Sequence, residues 1–286
     1  MRAVTLFAVT FCTVLSATAP AFASGHGPVF GYATPTNSQG EWSVDLGVTG
    51  RSTDAGSDTS LRAMLSYGFT PHLMLSVSAP VTLTSAPTTP TRMMGGHDFE
   101  SDVSWRFHHN PSKVGTRFES TMFGGVLLPG ADSNSGVMGM LKRAPGFNLG
   151  AATGMASRAH YLWIGGAFAR YLERDGDRRP DVLSYSLVYG YRPPAWRKDS
   201  GWDWRLFAEM AGEQSDHIRH LGLTMPGTDA NQLFLGPSAL GIRKNYAIEG
   251  GVQFPIYRDV GTLLPRERVR WVVNFSYFIF QHDHQH

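Results

Sequence analysis

The sequence predicts an all-β protein, a closed antiparallel transmembrane up-and-down β-barrel of about twelve strands. Three observations carry that expectation. Apolar and polar residues alternate with a period of two through most of the chain. The connectors between alternating segments run long, short, long, short. Beyond the extreme N-terminus no window approaches the ~18 consecutive apolar residues of a membrane-spanning helix. Composition agrees. Charged residues are 17% of the 286, against about 25% in an ordinary soluble domain. Aromatic residues are 12%, too many for a disordered chain. The net charge of +2 excludes a strongly basic surface, so no nucleic-acid partner is expected.

The N-terminus reads as an address. Arg2 is the sole charge before Ser24, an apolar run spans Ala3 to Leu15, and Ala21-Phe22-Ala23 fits an A-x-A cleavage site. Residues 1–23 are therefore expected to be a secretory signal peptide. Cys12 lies inside it, which leaves the mature chain without disulfides, a cysteine nucleophile or thiolate metal sites. Residues 24–40 form an N-terminal segment able to enter the lumen, 41–280 the barrel domain, and 281–286 a His-rich tail.

The segments follow in order. Trp42, Val44, Leu46 and Val48 alternate with Ser43, Asp45, Gly47 and Thr49. Leu61 to Phe69 and Leu73 to Ala79 alternate on either side of Thr70-Pro71 and read as an antiparallel hairpin. Phe99, Val103, Trp105 and Phe107 oppose Glu100, Asp102 and Arg106, and Phe118 and Met122 oppose Arg117 and Glu119. Weaker segments run from 147 to 157 and from 161 to 171. Leu183 to Tyr191 and Trp202 to Met210 alternate clearly, 232 to 242 is ambiguous in phase, and 246 to 254 and 271 to 279 complete the set. The long gaps are expected near 51–58, 81–97, 129–146, 172–181, 213–230 and 257–268. The short ones are expected near 70–71, 108–113, 157–160, 192–201 and 243–245. Trp42, Trp105, Trp163, Trp202 and Trp271 fall near segment ends, as an interfacial aromatic girdle requires.

The face opposite the lipid carries Asp45, Arg62, Glu100, Asp102, Arg106, Arg117, Glu119, Asp203, Arg205, Glu209 and Glu249. These are the expected lumen-lining residues. Such a wall holds water and passes polar small-molecule solutes, or its charges pair with one another and fill the bore. No catalytic residue is expected. The chain has no G-x-S-x-G elbow, P-loop or dinucleotide glycine fingerprint, and Ser157 and His160 sit together at a short turn. No resident cofactor is expected either, with copper or zinc as the alternative. Candidate metal ligands are His97 beside Met93 and Met94, His217 and His220 in one long loop, and His282, His284 and His286 in the tail. Imidazole with thioether suits copper, and a His-rich tail binds divalent metals weakly. The bland reading of these residues is a set of solvated loop and tail side chains. Asp175-Gly176-Asp177 lacks the rest of a calcium loop and reads as a tight turn.

A family resemblance rests on Gly27–Arg51, GPVFGYATPTNSQGEWSVDLGVTGR, and on LFLGPSALGIRKNYAIEGGVQFPIY (Leu233–Tyr257). Both stretches resemble outer-membrane proteins of the family associated with meta-pathway phenol degradation, often described as transporters. The closing Tyr277-Phe278-Ile279-Phe280 resembles the signal read by the barrel-assembly machinery, although six residues follow it. The resemblance implies a barrel in the outer membrane of a Gram-negative-type cell, with outer-membrane lipid and that machinery as partners, and it carries over no catalytic residue. The expected function is a channel or transporter passing small molecules through a polar, charge-lined lumen. The alternatives are a copper- or zinc-handling surface protein and a structural barrel with a plugged lumen.

Overall fold

A computed structural model describes residues 27–94, 97–112, 115–130, 136–196 and 201–280. The expected signal peptide and the tail, with His282, His284 and His286, lie outside these residues. The strands are β1 (Trp42–Thr53), β2 (Gly56–Thr70), β3 (Leu73–Thr84), β4 (Phe99–Pro111), β5 (Arg117–Leu128), β6 (Gly146–Ala156), β7 (His160–Tyr171), β8 (Val182–Tyr191) and β9 (Asp203–Ser215). After them come the two-residue β10 (Arg219–His220) and β11 (Leu223–Thr224), then β12 (Ala230–Arg243), β13 (Tyr246–Val260) and β14 (Glu267–Ile279). Strands β10 and β11 form a small hairpin inside a loop, and the other twelve form one closed barrel. Each pairs antiparallel with its neighbours, and β1 closes the ring on β14, with Trp42 opposite Ile279 and Gly50 opposite Trp271. Closure pairs the edges that an open sheet would leave bare.

The expected alternation becomes an inside and an outside. Strand β8 shows it most clearly. Val182, Ser184, Ser186 and Val188 are at most 3% exposed, whereas Leu183, Tyr185, Leu187 and Tyr189 are at least 40% exposed. The same outward apolar set continues around the wall through Leu65, Val77, Val103, Val126, Leu149, Ile164, Leu235, Ile248 and Val273. At the end carrying the short turns, outward aromatic pairs ring the barrel. They include Trp42 with Tyr67 at 4.5 Å, Trp202 with Trp204 at 5.9 Å and Tyr246 with Tyr277 at 5.1 Å between ring centroids.

Three expectations need correction. Residues 51–58 were expected to be a long connector, but β1 runs on to Thr53 and β2 begins at Gly56, leaving a two-residue turn. The polar residues that suggested a loop, Arg51, Thr53 and Asp58, are buried on the inner face. In a barrel with a packed lumen, polar means inward as readily as it means loop. Trp163 is not part of the girdle. It is 2% exposed, because Leu162, Ile164 and Phe168 take the outer face of β7 and leave Tyr161 and Trp163 inside. The connector expected near 257–268 is also shorter, because β13 runs on to Val260 and β14 begins at Glu267. The remaining long connectors, 85–98, 129–145, 172–181 and 216–229, join strand ends on that same side. The opposite end carries 71–72, 112–116, 157–159, 192–202 and 244–245.

The wall is least regular between β3 and β4. Their ladder runs only from Leu73 opposite Trp105 to Ser78 opposite Glu100, after which β3 pairs with β2 alone. The chain beyond Thr84 turns into the barrel instead of extending the hairpin. On the outer face, Ile164→Arg places a charge in the middle of the apolar band. It should cost about 2–4 kcal/mol of barrel stability near a bilayer midplane, read by urea unfolding from lipid vesicles.

Candidate functional site

The lumen is the candidate site, and two segments fill it from opposite ends. From the short-turn end, residues 27–41 run up the bore before β1 begins. Phe30, Thr34, Thr36, Asn37 and Glu41 on this segment are at most 3% exposed. The segment enters the wall beside β2, where the Gly40 N–H donates to the Gly68 carbonyl at 2.8 Å. A side chain at Gly68 would run into the Ser38 carbonyl oxygen, so the close approach requires glycine there. From the long-loop end, residues 85–94 dip in, burying Thr89 and Met94. The two segments meet where Phe30 and Met94 cluster with Val272 and Val29.

One strand holds both segments. Glu209 and Glu213 are four residues apart on β9, both inward and both essentially unexposed. The Glu209 carboxylate accepts the consecutive backbone N–H groups of Val29, Phe30 and Gly31 at 2.9, 2.8 and 2.7 Å, and the Ser238 hydroxyl as well. The Glu213 carboxylate accepts the Arg92 and Met93 N–H groups at 2.6 and 2.8 Å and the Thr91 hydroxyl at 2.6 Å. Backbone N–H groups converging on a carboxylate make charge-assisted bonds, the stronger kind. Each carboxylate thus fastens one segment that the wall does not otherwise contain.

The surrounding charges are paired, as burial demands. Arg270 is fully buried. It pairs with Glu213 and Glu267, both at 2.6 Å, and lies 3.7 Å over the ring of Phe234. Glu267 also pairs with Arg51, which reaches Asp58 at 3.0 Å and the Thr89 carbonyl at 3.0 Å. Arg62 and Arg92 share Glu100. Arg179 makes a two-bond pair with Asp98. Nearer the short turns, Glu119 gathers Arg106 at 2.9 Å, His109 at 3.0 Å, Arg117 at 3.2 Å and the Thr34 hydroxyl at 3.2 Å.

The expected lumen residues fall as follows. Asp45, Glu100, Glu119 and Glu209 are buried, and Arg62, Asp102, Arg106, Asp203, Arg205 and Glu249 are half-buried. Arg117 is exposed at the rim. Asp102 accepts from Asn148 and Glu249 from Asn274, each at 2.8 Å. The lumen is not polar throughout, however. Tyr161, Trp163, Val188, Phe207, Leu240, Ile242, Ala247 and Phe278 form an apolar cluster inside it. The Trp163 indole donates to the Thr34 hydroxyl at 3.1 Å. Sequence reasoning missed Glu213, although it follows Glu209 by four positions and keeps the inward phase. It missed Arg51 and Asp58 because they were assigned to a loop. Thr89 and Arg92 sit in a connector without periodicity, so no pattern marked them.

The metal candidates are dispersed. His97 bonds Thr82 at 2.8 Å and stands 3.4 Å from Asp58. His217 lies 3.3 Å from Asp229, and His220 bonds Asp177 at 2.8 Å. Among the described residues, no three of His, Cys, Asp and Glu are grouped to hold a metal ion. Residues 174–177 form a tight turn, with Asp175 and Gly176 at positive φ. The Asp177 carboxylate is taken up by the backbone N–H groups of Leu221 and Lys142 and by His220, which hold its pKa down to about 2. Its oxygens serve donors of the turn and the neighbouring loops. Ser157 bonds the His160 backbone, while the His160 ring faces the Tyr189 hydroxyl at 2.8 Å, so serine and imidazole are not a nucleophile–base pair.

The two anchors make separable predictions. Glu209→Gln should loosen residues 27–40 by about 1.5–3 kcal/mol, the worth of hydrogen bonds to a charged group. Glu213→Gln should loosen 85–98 by a similar amount. Hydrogen exchange should report faster exchange in the matching segment only, with the strands unchanged.

No family model and no curated protein matches the sequence. Among solved structures, an outer-membrane channel from Pseudomonas putida F1 superposes with a TM-score of 0.60. That match has 12% identity and covers 85% of this chain and 97% of the channel. The NanC porin gives 0.49 at 8% identity, covering 82% of this chain and 98% of the porin. The KdgM porin gives 0.41 at 10% identity, covering 84% and 99% respectively. What this chain shares with the Pseudomonas channel is the fold.

Proposed function

We propose that this chain is an outer-membrane channel that passes small molecules through a lumen closed by two tethered segments. One observation carries the reading: residues 27–41 and 85–94 enter the bore beside the wall's own inward side chains and are tied to it at Glu209 and Glu213. A barrel of eight strands is filled by its own side chains, whereas twelve strands leave room for more. Here that room holds detachable chain. The outward apolar band and the aromatic ring suit a bilayer, and the short turns belong on the periplasmic side. The fold shared with the Pseudomonas channel supports the same reading. So does the resemblance of Gly27–Arg51 and Leu233–Tyr257 to the transporter family, which names no solute for this chain. Bore width and the lining charges would then set selectivity.

A structural barrel with a plugged lumen is the second reading, favoured by the closure at Phe30 and Met94. Conductance in planar bilayers separates the two. The mature chain should give small, intermittent openings. Removing residues 27–37 should raise unitary conductance several-fold, and a Phe30→Ala, Met94→Ala double variant should lengthen the openings. Silence from both the intact and the shortened chain, across salts and small solutes, sinks the channel reading.

A further inference from the structure

One side of the bore is built without cations. Strands β9, β12, β13, β14 and β1 are consecutive in the ring. Over residues 206–215, 230–242, 246–257, 271–279 and 42–50 they carry no lysine or arginine. They do carry inward carboxylates. Asp45 and Glu209 are at most 3% exposed, and Glu249 is half-buried. Arginines flank this arc at its ends, Arg205 toward the short turns and Arg51 and Arg270 toward the long loops.

Uncharged groups join the carboxylates. Glu249 accepts from the Asn274 amide at 2.8 Å, and the same nitrogen lies 3.4 Å from the Ser276 hydroxyl. Ser276 stands opposite Asp45 in the ladder. Glu209 accepts the Ser238 hydroxyl. Gln253 is an independent pointer to the sign of the ligand. It is fully buried, and its amide nitrogen donates to the Glu209 backbone carbonyl at 3.2 Å. Its side-chain carbonyl oxygen has no hydrogen-bond partner. A buried acceptor oxygen without a donor, next to a carboxylate that only uncharged groups bond, favours a cation.

The N-terminal segment lies over this arc. Phe30 packs against Gly251, where an added Cβ would stand 2.8 Å from its ring. Residues 27–40 carry no charged side chain. Their hold on Glu209 is three backbone N–H groups, the positive ends of three peptide dipoles. Withdrawing the segment leaves the Ser238 hydroxyl as the one remaining donor of those four. The connector at the other end acts in the same direction. It carries Arg92 to Glu100, so its withdrawal takes a cation out of the bore.

We infer that the open bore selects small cations over anions, and that Glu209 and Glu249 on this arc set the selectivity. The inference rests on the channel reading and deepens it by fixing the sign of the solute. Rings of carboxylates select cations in channels, and low-dielectric walls lined by one sign of charge focus the field on the ions between them.

Reversal potentials in planar bilayers, across a potassium chloride gradient, read that sign directly. The dilute side is held near 0.1 M, where screening extends over about 10 Å. The mature chain should pass potassium in preference to chloride, and the chain without residues 27–37 should do so more strongly. Glu209→Gln and Glu249→Gln should each lower the potassium-to-chloride permeability ratio several-fold. Glu209 also holds the segment, so its variant is read in the shortened chain too, where only the charge is lost. Glu249→Gln keeps the test open if Glu209→Gln fails to fold. Glu173→Gln removes the same charge from an exposed connector and should leave the ratio unchanged. A ratio at or below one, or a ratio unmoved in every folded Glu209 and Glu249 variant, overturns the inference and leaves the channel standing. Silence from both the intact and the shortened chain overturns the channel, and the selectivity with it.

Discussion

Strand β1 pairs with β14 from Trp42 opposite Ile279 to Ser52 opposite Val269, and that pairing turns twelve strands into a ring. Everything else depends on it. In a hydrocarbon environment each backbone N–H and C=O must find its partner within the protein, and an open edge cannot be tolerated. Once the ring is closed, each side chain has two possible fates, outward or inward, and the period of two assigns them. The outer face takes leucine, valine and aromatic residues. The inner face is then relieved of any need to be apolar, and it accumulates arginine, glutamate, serine and asparagine.

A closed ring of this size creates a second requirement. Its interior holds charges that sit away from bulk water, and each needs a partner. The partners come from the wall and from chain that is not part of the wall. Glu209 and Glu213 satisfy backbone N–H groups of residues 29–31 and 92–93, which in turn satisfy the two carboxylates. The same bonds that settle the electrostatics of the lumen therefore also close it. Releasing either segment would expose a buried carboxylate to water. Phe30 and Met94 meet through apolar packing with Val272 and Val29.

The barrel was legible in the sequence because alternation is a local property. Trp42 to Thr49 and Leu183 to Tyr191 declare their two faces without reference to any other strand, and the segments assigned from alternation became the twelve strands of the wall. The inward acidic and basic residues were legible for the same reason, since Asp102, Glu119 and Glu209 follow from the phase of their strands. Where the phase was weak the reading slipped. Trp163 is aromatic on the inner face, and aromaticity alone suggested the membrane boundary. Arg51 and Asp58 are polar within a strand, and polarity alone suggested a loop.

By itself the sequence determined the fold class, the strand count and the side of the wall on which most residues fall, because each of these is set by neighbours two positions apart. Tertiary structure alone decided what occupies the bore. Glu209 meets Phe30 across 179 residues and Glu213 meets Arg92 across 121. No short-range pattern encodes such contacts, because a carboxylate looks the same in sequence whether water or a backbone N–H completes it. What fills the bore follows from that choice, and only the closed ring, by bringing both segments to one strand, makes it.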